Sequence, residues 1–222
     1  MIKKGVSLFF LLILSITFLF GQEIITADQY LSSVSDKYAS IKDYEANIEI
    51  RQDNSTMIGT VSHLTPSFMR IDFTRPADQV IVFNGENLVI YLPEYRAVLN
   101  QPLNKTGNPA SAQGLSMLRR NYVPSFVTGP NPEPLESGSS EKVVKIRLTR
   151  RNVSEGFREI ILSINPNTKL IRRIEARTIA ETEMRFDFTN IRTNQGVPSA
   201  RFVYDTPGTA SMFNNFLFRD SD

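Results

Sequence analysis

Apolar positions along the chain follow two periods, and the change between them near residue 44 divides it. Tyr30, Leu31, Val34, Tyr38 and Ile41 recur at the three- and four-residue spacing of one helix face. Thr26 followed by Gln29 fits a reciprocal cap, each side chain satisfying the other residue's free backbone N–H. The pattern predicts an opening helix whose apolar stripe must be buried against something.

From residue 44 onward the period is 2. Ala46, Ile48 and Ile50 alternate with Asn47, Glu49 and Arg51. A polar turn at Asp53-Asn54-Ser55 leads to a strand from Met57 to Leu64. After Pro66, Met69, Ile71 and Phe73 alternate with Arg70 and Asp72. Two runs, Gln79 to Phe83 and Leu88 to Leu92, flank Asn84-Gly85, which predicts a tight type I′ hairpin. Tyr95 to Leu99 reads as a further strand. The middle of the chain breaks the pattern: Asn104 to Ala112 is small and polar, and Ser116 to Asn121 suits a short helix. Pro124 and the proline-rich run Thr128 to Ser140 read as loop. Strands then return at Lys142 to Thr149, Ile160 to Ile164, Leu170 to Arg177, Glu183 to Asn190 and Ala200 to Tyr204.

The result is roughly ten strands at hairpin spacing. Short connections require antiparallel neighbours, because parallel pairing needs long crossovers. The fold class is therefore mainly β with α cover: a curved antiparallel sheet closed by an N-terminal helix and a short lid helix. Alternation sends Ile48, Ile50, Met69, Ile71, Phe73, Leu88 and Ile90 to one concave face, and Arg70 and Asp72 to solvent. Tyr30, Leu31, Val34 and Leu118 are expected to contact that face, and the loop from Asn104 to Gln113 to be mobile.

Both ends carry a different signal. Lys3 and Lys4 precede an apolar run from Val6 to Phe20, with the small Gly21 before Gln22. Residues 1–21 read as a secretory signal peptide and residues 22–222 as a single domain exported from the cytoplasm. At the other end, Met212, Phe213, Phe216, Leu217 and Phe218 are too apolar for a solvated tail. They suit either packing on the outside of the sheet or docking to a membrane or acceptor.

Composition removes chemistry from consideration. The chain has no Cys and one His, His63, among 222 residues. Thiolate metal sites, disulfides, Cys nucleophiles and a Ser–His–Asp relay have almost no material to work with. Removing Lys3 and Lys4 from 25 basic residues leaves 23 against 23 acidic ones, so the charge gives no nucleic-acid footprint. Phosphate loops, nucleophile elbows and paired metal-binding histidines are absent. The carboxylates fall on alternating polar positions and in turns, the ordinary place for solvated side chains. No enzyme activity, metal or cofactor is expected.

The stretch from Gly59 to Leu103 resembles the LolA/LolB-like outer-membrane lipoprotein carrier family. The elements that carry the resemblance are Gly59-Thr60-Val61, the segment Pro66 to Phe73, Asn84-Gly85-Glu86-Asn87-Leu88 and Tyr91-Leu92-Pro93. Thr106-Gly107-Asn108-Pro109 with the Leu115 to Arg120 helix resembles the family's loop and lid. Arg201 to Asp205 before Pro207-Gly208 resembles its closing strand. Three positions depart: Thr65 stands where carriers usually have an arginine, and Ile71 and Val89 stand where cavity tryptophans are common.

The resemblance implies an incomplete β-barrel and a periplasmic carrier that holds lipoprotein acyl chains and shuttles them from the inner to the outer membrane. Its lipid-binding cavity would be lined by Ile48, Ile50, Met69, Ile71, Phe73, Leu88, Ile90, Leu31, Val34 and Leu118. The implied partners are acylated lipoproteins, an inner-membrane releasing complex and an outer-membrane acceptor, with the carrier itself a monomer. Without an N-terminal Cys to acylate, the soluble carrier branch fits better than the lipid-anchored receptor branch. A lipid- or lipoprotein-sensing regulatory module on the same fold is the alternative, and a secreted enzyme with an unrecognised carboxylate site is a third.

Overall fold

The structure is a computed structural model that describes residues 25–102 and 112–216. Helix α1 spans Ala27–Ala39 and begins as the sequence requires. The Gln29 N–H donates to Thr26 Oγ1 at 3.2 Å, and the Thr26 N–H donates to Gln29 Oε1 at 2.8 Å. Strands β1 (Asp43–Gln52), β2 (Ser55–Leu64), β3 (Phe68–Arg75), β4 (Val80–Phe83), β5 (Asn87–Leu92) and β6 (Ala97–Pro102) follow as a meander. Helix α2 (Ala112–Asn121) separates them from β7 (Tyr122–Phe126), β8 (Glu133–Pro134), β9 (Lys142–Arg150), β10 (Phe157–Ile164), β11 (Ile171–Thr178) and β12 (Glu183–Thr193). A short β13 (Ser211–Asn214) ends the described chain.

All thirteen strands join one sheet, in the order β13-β6-β5-β4-β3-β2-β1-β12-β11-β10-β9-β7, with β8 added to β9. The two meanders meet where β1 pairs with β12, Ile48 opposite Phe188 and Ile50 opposite Phe186. Register carries one inward-facing apolar row across the sheet. Val61 lies opposite Ile71, Ile71 opposite Ile81, and Ile81 opposite Ile90 on one side. On the other side Ile174 lies opposite both Phe186 and Leu162. The inner face holds two clusters. One packs α1 and α2 on β9, β10 and β11 through Leu31, Val34, Leu115, Leu118, Ile146 and Leu162. The other joins β1, β2, β3 and β12 through Ile48, Ile50, Val61, Ile71, Phe73 and Phe188.

Several local expectations need correction. Asn84-Gly85 does not make a type I′ turn. Gly85 has φ +91°, but the connection runs from Asn84 to Glu86, and Asn84 Oδ1 accepts from the Glu86 and Asn87 N–H groups. The asparagine works as a side-chain turn rather than as a second left-handed residue. Pro124 is not in a loop: it sits in β7, at the sheet edge, where a missing N–H costs no ladder bond. Within the proline-rich run, Glu133 and Pro134 still pair with β9. Tyr95 belongs to a 3-10 turn at Pro93–Tyr95, and the next strand starts at Ala97. Ala200 to Tyr204 is not a strand but a 3-10 turn at Ser199–Phe202 followed by unpaired extended chain. Antiparallel order fails at one place, where β13 runs parallel to β6. Of the loop expected to be mobile, residues 104–111 lie outside the described residues, while Ala112 and Gln113 open α2.

The outer face is less solvated than alternation suggests. The segment 199–204 straps its β3–β6 half: Phe202 is 1% exposed and its ring lies 5.6 Å from Phe68. Arg70 and Asp72, expected in solvent, hold this strap. Arg70 Nη1 donates to the Arg201 carbonyl, and Arg201 Nη2 donates to Asp72 Oδ2 at 2.7 Å. A second strap, from 127 to 141, covers the other half with buried Leu135. Beneath it Asp187 accepts from Arg172, Arg173 and Arg185, and Arg173 also reaches Glu136. Buried ions survive only when paired and hydrogen-bonded, and these are.

Candidate functional site

Between the inner face and α2 lies a cavity of about 470 Å³. Its floor comes from alternate residues of strands in both meanders: Ile48 and Ile50 of β1, Val61 of β2, Met69 and Ile71 of β3, and Phe186 and Phe188 of β12. Strands β10 and β11 add Ile160, Leu162, Ile174 and Ala176, and α2 roofs it with Leu115, Met117 and Leu118. Polar side chains are few. Tyr44 and Tyr122 contribute rings, and Asn121 and Glu155 stand where α2 ends and the β9–β10 connection turns.

The local sequence explains this arrangement. Alternation in β1 and β3 points every second side chain at the inner face, where Ile48, Ile50, Met69 and Ile71 reach the cavity. Gly59 lets β2 and β3 approach closely at their irregular register, since a Cβ there would stand 2.3 Å from the Asp72 carbonyl oxygen. Helix α2 is held by ion pairing of Arg119 with Asp28 of α1 at 3.0 Å and by the Arg119 bond to Ser32. Its C-terminal carbonyl, Asn121, accepts the Arg151 N–H at 2.8 Å.

Glu155 at the lip is the one charged side chain among the described lining residues, and the titratable groups of the wall and of the strands behind it are buried. Burial pushes Tyr38 up to about 12 and raises Tyr44 further. Tyr122 is raised by burial and by the Glu155 charge. All three phenols stay neutral at ordinary pH. His63, buried with its ring 5.0 Å from Tyr44, has its pKa lowered by desolvation, so it too is uncharged at neutral pH. Among the described residues no group of acidic and His side chains could hold a metal ion. A carbon-lined space whose one charged side chain, Glu155, stands at its lip suits an apolar ligand.

The expected site residues divide into groups. Ile48, Ile50, Met69, Ile71 and Leu118 line the cavity. Leu31 and Val34 are fully buried in the helix cluster, and Phe73 in the strand cluster; none of the three lines the cavity. Register puts Leu88 and Ile90 on the inner face beside Phe83 and Ile81, but only partly buried and beyond the cavity. Val89 faces outward with Val82 toward the Phe202 strap, so it does not stand in the cavity wall. Thr65 anchors the connection between α1 and β1, its Oγ1 donating to the Ile41 carbonyl at 2.8 Å. Met212 and Phe213 pair through β13 but remain about half exposed, and Leu217 and Phe218 lie outside the described residues.

Sequence reasoning missed the contribution of β10, β11 and β12. Their alternation was legible, but nothing local says that β12 pairs with β1. The signal was the apolar set Ile160, Leu162, Phe186 and Phe188, at the same period as Ile48 and Ile50.

A half-open sheet wrapped around an apolar cavity and roofed by a short helix is an architecture that can hold an apolar ligand. The description "Outer membrane lipoprotein carrier protein LolA" matches residues 49–205, more than half of the chain, and the chain belongs to that family. Solved structures share the fold at low identity. An uncharacterized conserved protein from Thermus thermophilus is 14% identical with a TM-score of 0.56, covering 84% of this chain and 98% of its own. MucB in the Pseudomonas aeruginosa MucA/MucB complex is also 14% identical, with a TM-score of 0.52. That likeness covers 83% of this chain but only 62% of the other. No curated protein sequence matches.

Proposed function

We propose that this protein is a periplasmic carrier that binds the acyl chains of lipoproteins in its cavity and moves them from the inner to the outer membrane. Residues 1–21 are its export signal and 22–222 one monomeric carrier domain. A releasing complex loads it at the inner membrane, and an acceptor unloads it at the outer. The carbon-lined cavity of about 470 Å³ beneath α2 is the observation that carries the reading. Each methylene taken from water is worth about 0.8 kcal/mol, so an acyl chain crosses an aqueous space only inside such a shelter. Family membership supports the same reading. A transfer assay tests it: a radiolabelled lipoprotein in inner-membrane vesicles should move to outer-membrane vesicles when the protein is added. Loss of transfer in Leu118→Glu, with the fold intact, is the expected control. No transfer with any lipoprotein, despite acyl binding, overturns the shuttle.

A second reading is a lipid- or lipoprotein-sensing module that binds a partner protein. The fold's likeness to MucB, solved in a complex with MucA, favours it. Acyl binding without transfer, together with lipid-dependent capture of a single protein partner, would select it.

A further inference from the structure

The cavity is not uniformly apolar, and the exception has a definite chemistry. Asn121 closes α2 and Glu155 stands in the turn between β9 and β10, so both lie at one lip. The lip is tied together by the Arg151 N–H bonded to the Asn121 carbonyl and by Tyr122 Oη donating to the Phe157 carbonyl. Asn121 Nδ2 donates to Glu155 Oε2 at 3.4 Å. Among the described residues, Glu155 Oε1 and Asn121 Oδ1 accept no other hydrogen bond. The nearby Arg150 guanidinium donates to the Val153 carbonyl within the same turn. One end of a carbon-lined cavity therefore presents acceptors and a negative charge.

The volume limits the apolar part of the ligand. A methylene fills about the 30 Å³ that a water occupies in the liquid, so 470 Å³ holds roughly 16 such groups. That is one acyl chain. Three chains of that length need about three times the space, so a lipoprotein with several acyl chains would seat one of them here.

Resting on the lipid-binding reading above, we infer that the cavity takes a single acyl chain of about 16 carbons whose polar end carries an N–H donor, an amide or an ammonium, set against Glu155 and Asn121. A donor head satisfies both acceptors. A carboxylate head meets a like charge at the edge of a low-dielectric space. The site thus discriminates against free fatty acids and orients its ligand with the chain inward and the head at the α2 end. Two sources supply such a head: the amide of an N-acylated polypeptide and the amine of a lysophospholipid.

Displacement of a fluorescent acyl probe from the full mature chain tests this, with three competitors of equal chain length. These are an N-palmitoyl tetrapeptide amide, palmitoyl lysophosphatidylethanolamine and palmitate. At least one donor-headed ligand should bind about tenfold or more tighter than palmitate, the worth of a charge-assisted hydrogen bond. The tighter of the two identifies the source. Glu155→Gln keeps an acceptor but removes the charge, so palmitate should gain and the ratio narrow. Glu155→Lys should invert the order. Equal affinities in the wild type overturn the inference, as does a preference unchanged in both variants. If no competitor or probe binds the wild type, the lipid-binding reading fails first; if all bind equally, only this inference fails.

Discussion

Ala176→Leu separates an open cavity from a tightly packed core by the sign of its effect. Ala176 sits on β11, is 6% exposed, and lines the cavity opposite Ile160 and Met184. In a close-packed interior, three extra carbons would force neighbours off their rotamers and cost about 1–3 kcal/mol. Here they enter free volume. At about 0.8 kcal/mol per methylene, full burial adds at most roughly 2 kcal/mol, an upper estimate since unfolded chains already bury some surface. For a domain of this size that is a rise of about 4–8 °C in Tm. The same three carbons fill about 90 Å³ of the 470 Å³, so the preferred ligand should shorten by about three carbons. Thermal melting of the unliganded protein reads the first effect. Displacement by saturated ligands of increasing length reads the second. A lower Tm with an unchanged chain-length optimum would show that the volume does not exist in solution and would refute the reasoning.

Gly59→Ala should cost about 1–3 kcal/mol by chemical denaturation, because its Cβ would collide with the Asp72 carbonyl 2.3 Å away. A change within experimental error would mean β2 and β3 separate more easily than their register implies. Phe202→Ala should cost about 3–5 kcal/mol, as expected for a fully buried aromatic, yet leave acyl affinity unchanged because the ring packs outside the sheet. Loss of affinity without loss of stability would place Phe202 in the binding path instead. His63 should make the fold acid-sensitive. Its pKa is lowered in the folded state, so the unfolded chain takes up the proton first. Stability is full above the ordinary value of about 6.5 and falls as pH drops through it toward the folded pKa. Urea midpoints measured across that range should fall in the wild type and fall less in His63→Phe; parallel slopes would reject the assignment.

The period-2 signal located most strands because each inward residue must meet apolar neighbours, and β1, β3, β9 and β10 obey it. It failed where local composition and tertiary contact disagree. Ala200 to Tyr204 alternates like a strand, but β3 to β6 already have their ladder partners, and Phe202 instead fills the outer surface over Phe68 and Val82. Arg70 and Asp72 read as solvated because their partner, Arg201, lies far along the chain. The candidate site was half legible for the same reason. Residues near the family-like segment, Met69 and Ile71, were found. The wall from Ile160 to Phe188 depends on the β1–β12 pairing, which no local pattern encodes.

That pairing also explains why a cavity forms at all. Twelve strands lie side by side along the sheet path, and at about 4.8 Å per neighbour the sheet is roughly 50 Å wide before it curves. Against it the chain sets α1 of 13 residues and α2 of 10, about 20 Å and 15 Å long and each about 10 Å across. Among the described residues, these two helices cannot cover the inner face. The core closes solidly where α1 meets β9 to β11, and it is left open where α2 spans from β10 and β11 toward β1 and β3. Among the described residues the void is therefore a shortage of cover, not an excess of sheet. Parting its floor would break backbone ladders on both sides of β1, whereas lifting its roof disturbs only the α2 contacts, chiefly Leu115, Leu118 and the Arg119–Asp28 pair. Exchange of an apolar ligand follows the cheaper route, so α2 is the element whose displacement should govern how fast a bound chain leaves.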